Sequence, residues 1–423
     1  MKRHILYVNA DRGIPVWGES GGSAHIRDFV SAALRTGSDV TIVSARIRAG
    51  DASAPSAPTH KIKFSRYGAI FRKHWECCEG NDLAKEIRSF YANTVLSRQL
   101  PDMASKNQFS LVYERYSLFS VAGLNFARRN KLPYVLEVNS PLINEALKHR
   151  RLFMRELAES IARYLFMHAD GVVAVSEEVA AYVRDVAPQA RVTVMPNAVD
   201  TSRFHRSANA LRKSTIGNKQ IHKALPSLRD KFVIGYLGSF RPWHGLSNLL
   251  EAFAAFVALK PDAHLLIIGD GKALRPQLEK SCVELGVEKQ VTFTGEAPNA
   301  EAPLYLSCCD TLVAPYPALE NFYFSPLKVF EYMASGKPII ASNIGQLSRL
   351  LTDGENAALV PPGDVAALVA ALVKVEEHKG FAERLAANAF DYARKYHSWD
   401  VRMSQMNELF DSLQLTPRIR EAV

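Results

Sequence analysis

The segment Tyr323–Ser342, with the sequence YFSPLKVFEYMASGKPIIAS, carries the signals of a complete short helix followed by a strand. Ser325 is a good N-terminal capping residue, and Pro326 suits the first helical position because that position needs no N–H donor. Gly336 suits the left-handed residue after the last turn, and Pro338 prevents the helix from continuing. The pattern therefore predicts a helix that begins at Pro326 and ends before Gly336.

The side chains of this predicted helix divide between two faces. Leu327, Phe330 and Ala334 share one face and are expected to be buried. Lys328 and Glu331 are three residues apart and share another. A helix N-terminus favours an anion, and a carboxylate one turn further in can accept two hydroxyl donors. This spacing outlines the diphosphate and ribose of a nucleotide, although a solvent-facing glutamate paired with the lysine explains it as well.

Two short apolar segments flank the helix. Asp310–Pro315 precedes it and Pro338–Ala341 follows it at once, and both are typical of buried strands. Strand, loop, helix and strand form a βαβ unit, whose ligands bind at the carboxyl ends of the strands. The segment therefore predicts the α/β fold class.

The composition is that of a globular protein. At 423 residues the chain is too long for one ordinary core, so two domains are expected. It has no apolar run of the ~18 residues that span a bilayer, and the apolar Ile5–Val8 is too short for a signal peptide, which favours a cytoplasmic protein. The five cysteines have no metal-ligand spacing, and no convincing Asp-x-Asp pair follows a strand, so no metal is expected.

The formal net charge of +9 indicates an anionic partner: a nucleic acid, an anionic lipid or a phosphorylated small molecule. No nucleic-acid-binding motif is found, so nucleic acid is not expected. Part of the charge lies in His205–Lys231 and part in Lys148–Arg155, which leads into an amphipathic helix. With the apolar Leu147 and Phe153, the segment 148–163 could lie on an anionic membrane surface, whereas a solvated charged face is the plainer interpretation.

Strand and helix patterns alternate in both halves of the chain and predict two facing doubly wound domains with a cleft between them. The predicted strands begin near His4, Asp39, Leu111, Tyr134 and Gly171 in the first half, and near Phe232, Ala263 and Val291 in the second. The predicted domains are 1–200 and 231–398, joined by a basic segment, 201–230. A final helix, 399–413, is expected to pack back on the first domain.

Polar groups follow the predicted strands, where ligands of such sheets bind. The loop Gly238–Gly245 follows the first strand of the second half, and its Arg241 can bind a phosphate bidentately. Further groups in such positions are Ser239 and His244 in the same loop, Gly269 and Asp270 after the next strand, and Gly21 and Gly22 at the start of the first helix.

Taken in order, these pieces resemble a retaining glycosyltransferase of the family 4 type, with the GT-B fold. The resemblance covers nearly the full length, and it rests on the ordered set because each piece alone is weak. The pieces are Gly21–Ser23, Tyr113–Arg115, Val175–Glu177, Val194–Asp200 with Arg203 and Phe204, Gly238–Gly245, Ile268–Gly271, Ser325–Pro338, and Ser398 with Trp399.

The resemblance implies transfer of a sugar from a UDP or GDP sugar to a hydroxyl of a saccharide or lipid-linked saccharide, with retention, in bacterial polysaccharide or glycolipid assembly. It implies no cofactor and no metal, and it implies that the domain 1–200 holds the acceptor and the domain 231–398 the donor. Glu331 would bind the ribose, while Arg241 and His244 would neutralise the departing diphosphate. The implied donor-binding residues are Gly21, Gly22, Gly238, Ser239, Gly269, Asp270, Tyr323, Phe324, Ser325, Pro326, Leu327 and Lys328. The acceptor-side candidates are His25, Glu137 and Asn139.

Three places depart from the family pattern. Tyr323 stands where many members have a glutamate, eight residues before Glu331. Ser239 and His244 stand at the positions of the usual basic pair. Asn139 stands where many relatives have a histidine. The donor contacts of the usual residues are therefore either missing here or made otherwise.

Other interpretations stay open. An epimerase or hydrolase of sugar nucleotides fits the same fold, and a non-catalytic nucleotide-sugar-binding protein fits the missing glutamate. A dinucleotide oxidoreductase would need Gly-x-Gly-x-x-Gly after the first strand, which is absent. Locally, Glu114 and Arg115 can form an internal ion pair, His25 can be a buried histidine, and Glu137 with Asn139 can be a structural capping pair.

Overall fold

The computed structural model describes residues 2–48, 54–63, 82–105, 107–204, 228 and 230–415. The chain divides into two compact units. The N-terminal unit comprises Met1–Pro196, Tyr323–Ser325 and Trp399–Val423, and the C-terminal unit comprises Asn197–Phe322 and Pro326–Ser398. Most of the predicted basic connecting segment, 201–230, lies outside the described residues.

The N-terminal unit is built on a seven-stranded sheet in which every neighbouring pair is parallel. Its strands are β1 (His4–Asn9), β2 (Asp39–Ser44), β3 (Thr59–Lys61), β4 (Leu111–Arg115), β5 (Tyr134–Val138), β6 (Gly171–Ala174) and β7 (Val192–Val194). Its helices are α1 (Gly21–Arg35), α2 (Asp82–Ala104), α3 (Ala122–Arg129), α4 (Leu142–His149), α5 (Arg155–His168) and α6 (Glu177–Val186). The strands β1, β4, β5 and β6 are almost entirely buried, as expected for the centre of a sheet covered on both faces, whereas the edge strand β3 is mostly exposed.

The strand order in this sheet is β3-β2-β1-β4-β5-β6-β7. The order reverses between β1 and β4, because β1 pairs with β2 on one side and with β4 on the other. Ligands of open parallel sheets bind outside the carboxyl ends of the strands at such a point. The segments that begin at Ala10 and Tyr116 leave the sheet there.

The last described helix, α14 (Trp399–Leu415), belongs to the N-terminal unit. Trp399 is fully buried, with its ring edge-on to His25 at 5.2 Å and to Phe29 at 6.3 Å between centroids. Phe410 meets Tyr113 at 6.1 Å. The helix therefore covers α1 and the sheet with aromatic side chains, which explains why Trp399 is a packing residue.

The C-terminal unit is built on a six-stranded sheet, again with parallel neighbours, in the order β10-β9-β8-β11-β12-β13. Its strands are β8 (Phe232–Leu237), β9 (Ala263–Ile268), β10 (Val291–Gly295), β11 (Thr311–Ala314), β12 (Ile339–Ser342) and β13 (Ala358–Val360). Its helices are α7 (Leu246–Leu259), α8 (Arg275–Glu284), α9 (Ala302–Ser307), α10 (Leu327–Ser335), α11 (Leu347–Leu350), α12 (Val365–Glu377) and α13 (Lys379–Tyr396).

The predicted central helix is α10, and its C-terminal signals are confirmed. Gly336 has the left-handed angles φ 65° and ψ 32°. The predicted Ser325 cap is wrong: Pro326 occupies the capping position with an extended ψ of 108°, no side chain caps the helix, and the first helical residue is Leu327. Of the predicted buried residues, Phe330 and Ala334 are buried and Leu327 is half-buried.

The order of the second sheet reverses between β8 and β11. The loop after β8 and the segment after β11 pack against each other at this reversal. A Cβ built on Gly245 would lie 1.6 Å from the carbonyl oxygen of Pro315. Gly245 is therefore required by close backbone contact as well as by its φ of 71°.

Candidate active site

Two strand-end segments of the C-terminal unit are joined by backbone hydrogen bonds. The N–H of Gly238 donates to Ile268 at 2.9 Å, and the N–H of Phe240 donates to Asp270 at 2.9 Å. A Cβ on Gly269 would lie 2.1 Å from the carbonyl oxygen of Gly238. The structure therefore brings together Gly238, Gly269 and Asp270, three of the predicted donor-binding residues, at the carboxyl ends of β8 and β9.

The loop after β8 continues into a single helical turn, Pro242–His244. Nδ1 of His244 lies 2.7 Å from the carbonyl oxygen of Ser239. Because a carbonyl oxygen only accepts, Nδ1 carries the ring proton. Burial, and then the positive charge of Lys328, lower the pKa of His244 to about 3. His244 is therefore a neutral imidazole in this structure and presents a lone pair on Nε2.

Lys328 lies in the first turn of α10 and is buried. Its Nζ donates to the hydroxyl of Tyr236 at 2.8 Å and lies 4.1 Å from the centroid of that ring. It also lies 5.6 Å from the ring centroid of Tyr316, in the segment after β11. A Cβ on Gly238 would lie 2.9 Å from Nζ, so the lysine ends directly beneath the loop after β8.

Glu331 follows one turn later on the same helix and is half-buried. Its negative charge favours the ammonium form of Lys328, although the opposing effect of burial is larger. Arg241 is exposed, 5.9 Å from the ring centroid of Trp243, and its positive charge reaches His244. Lys328, His244, Arg241 and Glu331 thus lie where β8, β11 and α10 converge.

Tyr323, Phe324 and Ser325 belong to the N-terminal unit. The Tyr323 hydroxyl donates to Oε1 of Glu145 at 2.6 Å, and its carbonyl oxygen accepts from the Ser176 hydroxyl at 2.8 Å. Tyr323, which stands where many family members have a glutamate, is therefore hydrogen-bonded to a carboxylate of α4. The donor-side role of these three residues stays a prediction.

Gly21 and Gly22 open α1, and Oγ of the preceding Ser20 accepts from the N–H of Ser23 at 3.3 Å. A Cβ on Gly22 would lie 2.9 Å from the Ile14 side chain, so a larger residue would crowd the loop after β1. The structure gives Gly22 a local packing reason, and the contact of both glycines with a donor stays a prediction.

His25 and Glu137 bond to each other in the interior of the N-terminal unit. Nε2 of His25 lies 2.6 Å from Glu137 Oε1, which also accepts from the Tyr113 hydroxyl at 3.0 Å. Burial alone would raise the pKa of Glu137, but His25, and then Arg115 and Tyr113, lower it to about 2. The contacts of His25 match its alternative as a buried histidine. Glu137 contacts His25, Tyr113 and Arg115, and its capping pair with Asn139 stays a prediction, as does the acceptor-side role of His25 and Glu137. Asn139 is half-buried, just beyond the end of β5.

The predicted ion pair between Glu114 and Arg115 is wrong. Successive residues of a strand point to opposite faces of the sheet, so the two side chains cannot meet. Glu114 accepts from the hydroxyls of Ser120 at 2.7 Å and Tyr134 at 2.8 Å. Arg115 instead lies 3.5 Å from Oε2 of Glu137.

The N-terminal unit contains a pocket of about 330 Å³ that was not predicted from the sequence. It lies where the strand order reverses, and its charged residues are Asp11, Arg12, Glu145 and Arg150. Arg150 is 3.5 Å from the buried carboxylate of Glu86, which also accepts the N–H groups of residues 153 and 154 at 3.0 and 2.8 Å. Asp11 and Arg12 follow the carboxyl end of β1. In the second half of the sequence, polar residues after strand ends were taken as site candidates, and the same rule would have selected these two residues.

Two features are absent from the residues that the structure describes. No group of three or more histidine, cysteine, aspartate or glutamate side chains is arranged there to hold a metal ion. None of the helices in those ranges has the length and apolar character needed to cross a bilayer.

Comparison with known families gives two matches. Residues 20–203 match the model of Glycosyltransferase Family 4, and residues 217–392 match that of Glycosyl transferases group 1. A phosphatidyl-myo-inositol mannosyltransferase of Mycobacterium leprae is 32% identical over 181 residues, which cover 42% of this chain and 46% of the relative. A D-inositol 3-phosphate glycosyltransferase of Thermomonospora curvata is 26% identical over 351 residues, 79% and 78% of the two chains.

Solved structures show the same fold. HepE of Anabaena, crystallised with UDP-glucose, matches with a TM-score of 0.71 at 17% identity over 97% of this chain and 99% of its own. Sucrose-phosphate synthase of Thermosynechococcus elongatus matches with a TM-score of 0.70 at 20% identity over 98% and 99%. With two consecutive family models matched and parallel-sheet units of the GT-B type, the chain belongs to the family 4 type of glycosyltransferases.

Proposed function

We propose that this protein transfers a sugar from a UDP or GDP sugar to a hydroxyl of a saccharide or lipid-linked saccharide, with retention of the anomeric configuration. The pathway we propose is assembly of a bacterial surface polysaccharide or glycolipid. The observation that carries the proposal is the group of Lys328, His244, Arg241 and Glu331 at the strand-order reversal of the C-terminal unit. Family membership supplies the reaction class.

The chemistry of glycosyl transfer explains these residue types. As the bond to the sugar breaks, positive charge develops on the sugar and negative charge on the departing diphosphate. Lys328 and Arg241, together with the N–H groups that begin α10, are the fixed donors for that charge. We propose that they act without a metal ion, and that Glu331 accepts hydrogen bonds from the two ribose hydroxyls.

For the acceptor we propose the pocket of the N-terminal unit. Its lining combines Asp11 and Glu145 with Arg12 and Arg150, and adds the hydroxyls of serine residues. Carboxylates accept from sugar hydroxyls and guanidinium groups donate to them, so this mixture suits a polyol. The named relatives act on inositol-containing acceptors, which are polyols, and they supply the first compounds to test.

A donor and acceptor panel tests the proposal. Thermal shift and calorimetry with UDP-glucose, UDP-galactose, UDP-N-acetylglucosamine and GDP-mannose should show one nucleotide that stabilises the chain, since a ligand at a hundred times its Kd adds about 2.7 kcal/mol. The stabilising donor is then incubated with D-inositol 3-phosphate or with phosphatidylinositol vesicles. NMR of the product should show the anomeric configuration of the donor.

The same assay separates the rival functions. Arg150→Met should raise the acceptor KM about tenfold and leave nucleotide binding unchanged, because Arg150 belongs to the N-terminal unit and lines the pocket proposed for the acceptor. Accumulation of an epimer or of free sugar at the same rate without acceptor would favour an epimerase or hydrolase. Donor binding without any turnover would favour a binding protein, and an inverted product would contradict retention.

We also propose that the segment 148–163 contacts an anionic membrane surface. Leu147, Phe153 and Leu157 are 39–43% exposed beside basic residues, and the Arg151 guanidinium lies 4.5 Å from the ring centroid of Phe153. Apolar side chains within a basic surface are the pattern of interfacial binding. A membrane-bound enzyme would meet a lipid-linked acceptor directly.

Vesicle sedimentation tests this contact. The wild type should bind phosphatidylglycerol vesicles and not phosphatidylcholine vesicles, and R151S/F153S should lower the binding constant about tenfold through the loss of one charge and one apolar anchor. Leu259→Ser is the control, because Leu259 is a more exposed apolar residue of the C-terminal unit. Equal binding to both lipids, or an equal effect of both variants, would contradict the contact.

A further inference from the structure

The ammonium group of Lys328 lies in an unusually poor environment for a charge. Its side chain is buried, and its hydrogen-bond acceptor is the uncharged hydroxyl of Tyr236. The rings of Tyr236 and Tyr316 lie beside the lysine Nζ. Within the described part of the chain Lys328 forms no salt bridge, so the protonated form is not neutralised by direct contact with a carboxylate.

Among the described residues, the titratable groups around this lysine come from β8, from the loop after β8, from the segment after β11 and from α10. Tyr236 comes from β8, Tyr316 from the segment after β11, and His244 and Arg241 from the loop after β8. On α10 itself, Glu331 favours the charged lysine, and the hydroxyl of Tyr332 accepts from the N–H of residue 237 at 2.8 Å. Glu331 is the only carboxylate in this set, and Arg241 is its one permanent cation.

The hydrogen bonds connect the lysine to the loop. The Tyr236 hydroxyl accepts from Lys328 and donates to the Ser239 carbonyl oxygen at 3.3 Å. That same oxygen accepts from Nδ1 of His244 at 2.7 Å, and Nδ1 lies 3.2 Å from the Tyr236 hydroxyl. Lys328, Tyr236 and His244 therefore form one connected group, in which Tyr236 fixes the position of the lysine Nζ.

We propose that binding of a nucleotide diphosphate at this group takes up one proton from solvent onto Lys328, and that Tyr236 is the residue that positions the lysine for it. The inference rests on the proposed function, because it takes the donor diphosphate as the ligand. The proton joins the Nζ lone pair when the diphosphate arrives and returns to solvent when it leaves.

The electrostatics support this coupling. Burial lowers the pKa of Lys328 to about 7 in the free protein, against the smaller opposing effect of Glu331. A diphosphate beside Gly238 adds negative charge near Nζ and favours the protonated form. Once the protonation of the terminal phosphate itself, with a pKa of about 6, is taken into account, affinity for the diphosphate should therefore be constant below pH 7. Above it, affinity should fall by up to about tenfold per pH unit, since one proton is taken up on binding.

Calorimetry of UDP and GDP binding at pH 8 in two buffers of different ionisation enthalpy measures the proton directly. At this pH the terminal phosphate, with a pKa of about 6, is already ionised and contributes little. The wild type should take up close to one proton per nucleotide. Lys328→Met should abolish the uptake and weaken binding at least tenfold, and His244→Gln should retain the uptake.

Tyr236→Phe keeps the ring and removes the hydroxyl, so uptake should persist while affinity begins to fall at a lower pH than in the wild type. Lys289→Met, an exposed lysine of the same unit, is the matched control and should behave as the wild type. Nucleotide binding without proton uptake, or uptake that is lost in His244→Gln and kept in Lys328→Met, would overturn this inference alone. Failure of both nucleotides to bind would overturn the proposed function as well.

Discussion

Replacing Glu331 by alanine is expected to weaken binding of the nucleotide diphosphate about 100-fold. Hydrogen bonds to a charged group contribute about 1.5–3 kcal/mol each, and we assign two ribose hydroxyls to this carboxylate. A loss of about 3 kcal/mol corresponds to about a 150-fold change in Kd. Calorimetry with the preferred nucleotide measures this change without any knowledge of the acceptor.

Two further variants give the Glu331 experiment its control. Glu331→Gln keeps one acceptor oxygen and should fall between alanine and the wild type. Glu383→Ala changes an exposed glutamate on α13 of the same unit and should leave binding unchanged. Because alanine favours helix, the free energy of unfolding should change little in either alanine variant. An unaltered Kd in Glu331→Ala would show that Glu331 is an ordinary surface residue.

Replacing Gly245 by alanine is expected to destabilise the C-terminal unit by about 4 kcal/mol. The added Cβ would lie 1.6 Å from the carbonyl oxygen of Pro315, so backbone must move, and a side chain at φ 71° is strained in any case. The loop that carries Arg241 and His244 would shift with it. Urea unfolding, followed by a probe in this unit, measures the loss.

Gly354→Ala separates the steric clash of the added Cβ from the strain of a left-handed backbone. Gly354 has the same φ of 71° and no atom within 4 Å of the added Cβ, so only the cost of the left-handed conformation applies, about 1–2 kcal/mol. Equal destabilisation by the two substitutions would mean that the contact between the loop after β8 and the segment after β11 contributes nothing to stability.

Local signals in the sequence predicted the fold well where the backbone itself imposes a requirement. Gly336 ends α10 because only a left-handed residue closes that turn, and β8 and β9 begin at the predicted Phe232 and Ala263. The predicted N-terminus of α10 was wrong because proline is favourable at two positions. It suits the first residue of a helix, and it also suits the extended residue that precedes one. Only the surrounding structure decides between them.

The candidate site was predictable only in part. The strands can be predicted from the sequence, so the glycines and the arginine that follow them could be recognised as candidate site residues. Tyr236 looks like any core residue of an apolar strand, and its contact with Lys328 joins positions 92 residues apart. The burial that makes Lys328 a weak base comes from three separate elements, so no local pattern reveals it. The pairing of Glu86 with Arg150 was hidden for the same reason.

A crystal structure of the chain with its preferred nucleotide diphosphate tests the central claim most directly. We expect the diphosphate against Gly238 and the start of α10, with a phosphate oxygen within hydrogen-bond distance of Lys328 Nζ and the two ribose hydroxyls on the Glu331 carboxylate. A nucleotide bound elsewhere, or bound here with the Glu331 carboxylate turned away from the ribose, would contradict the account.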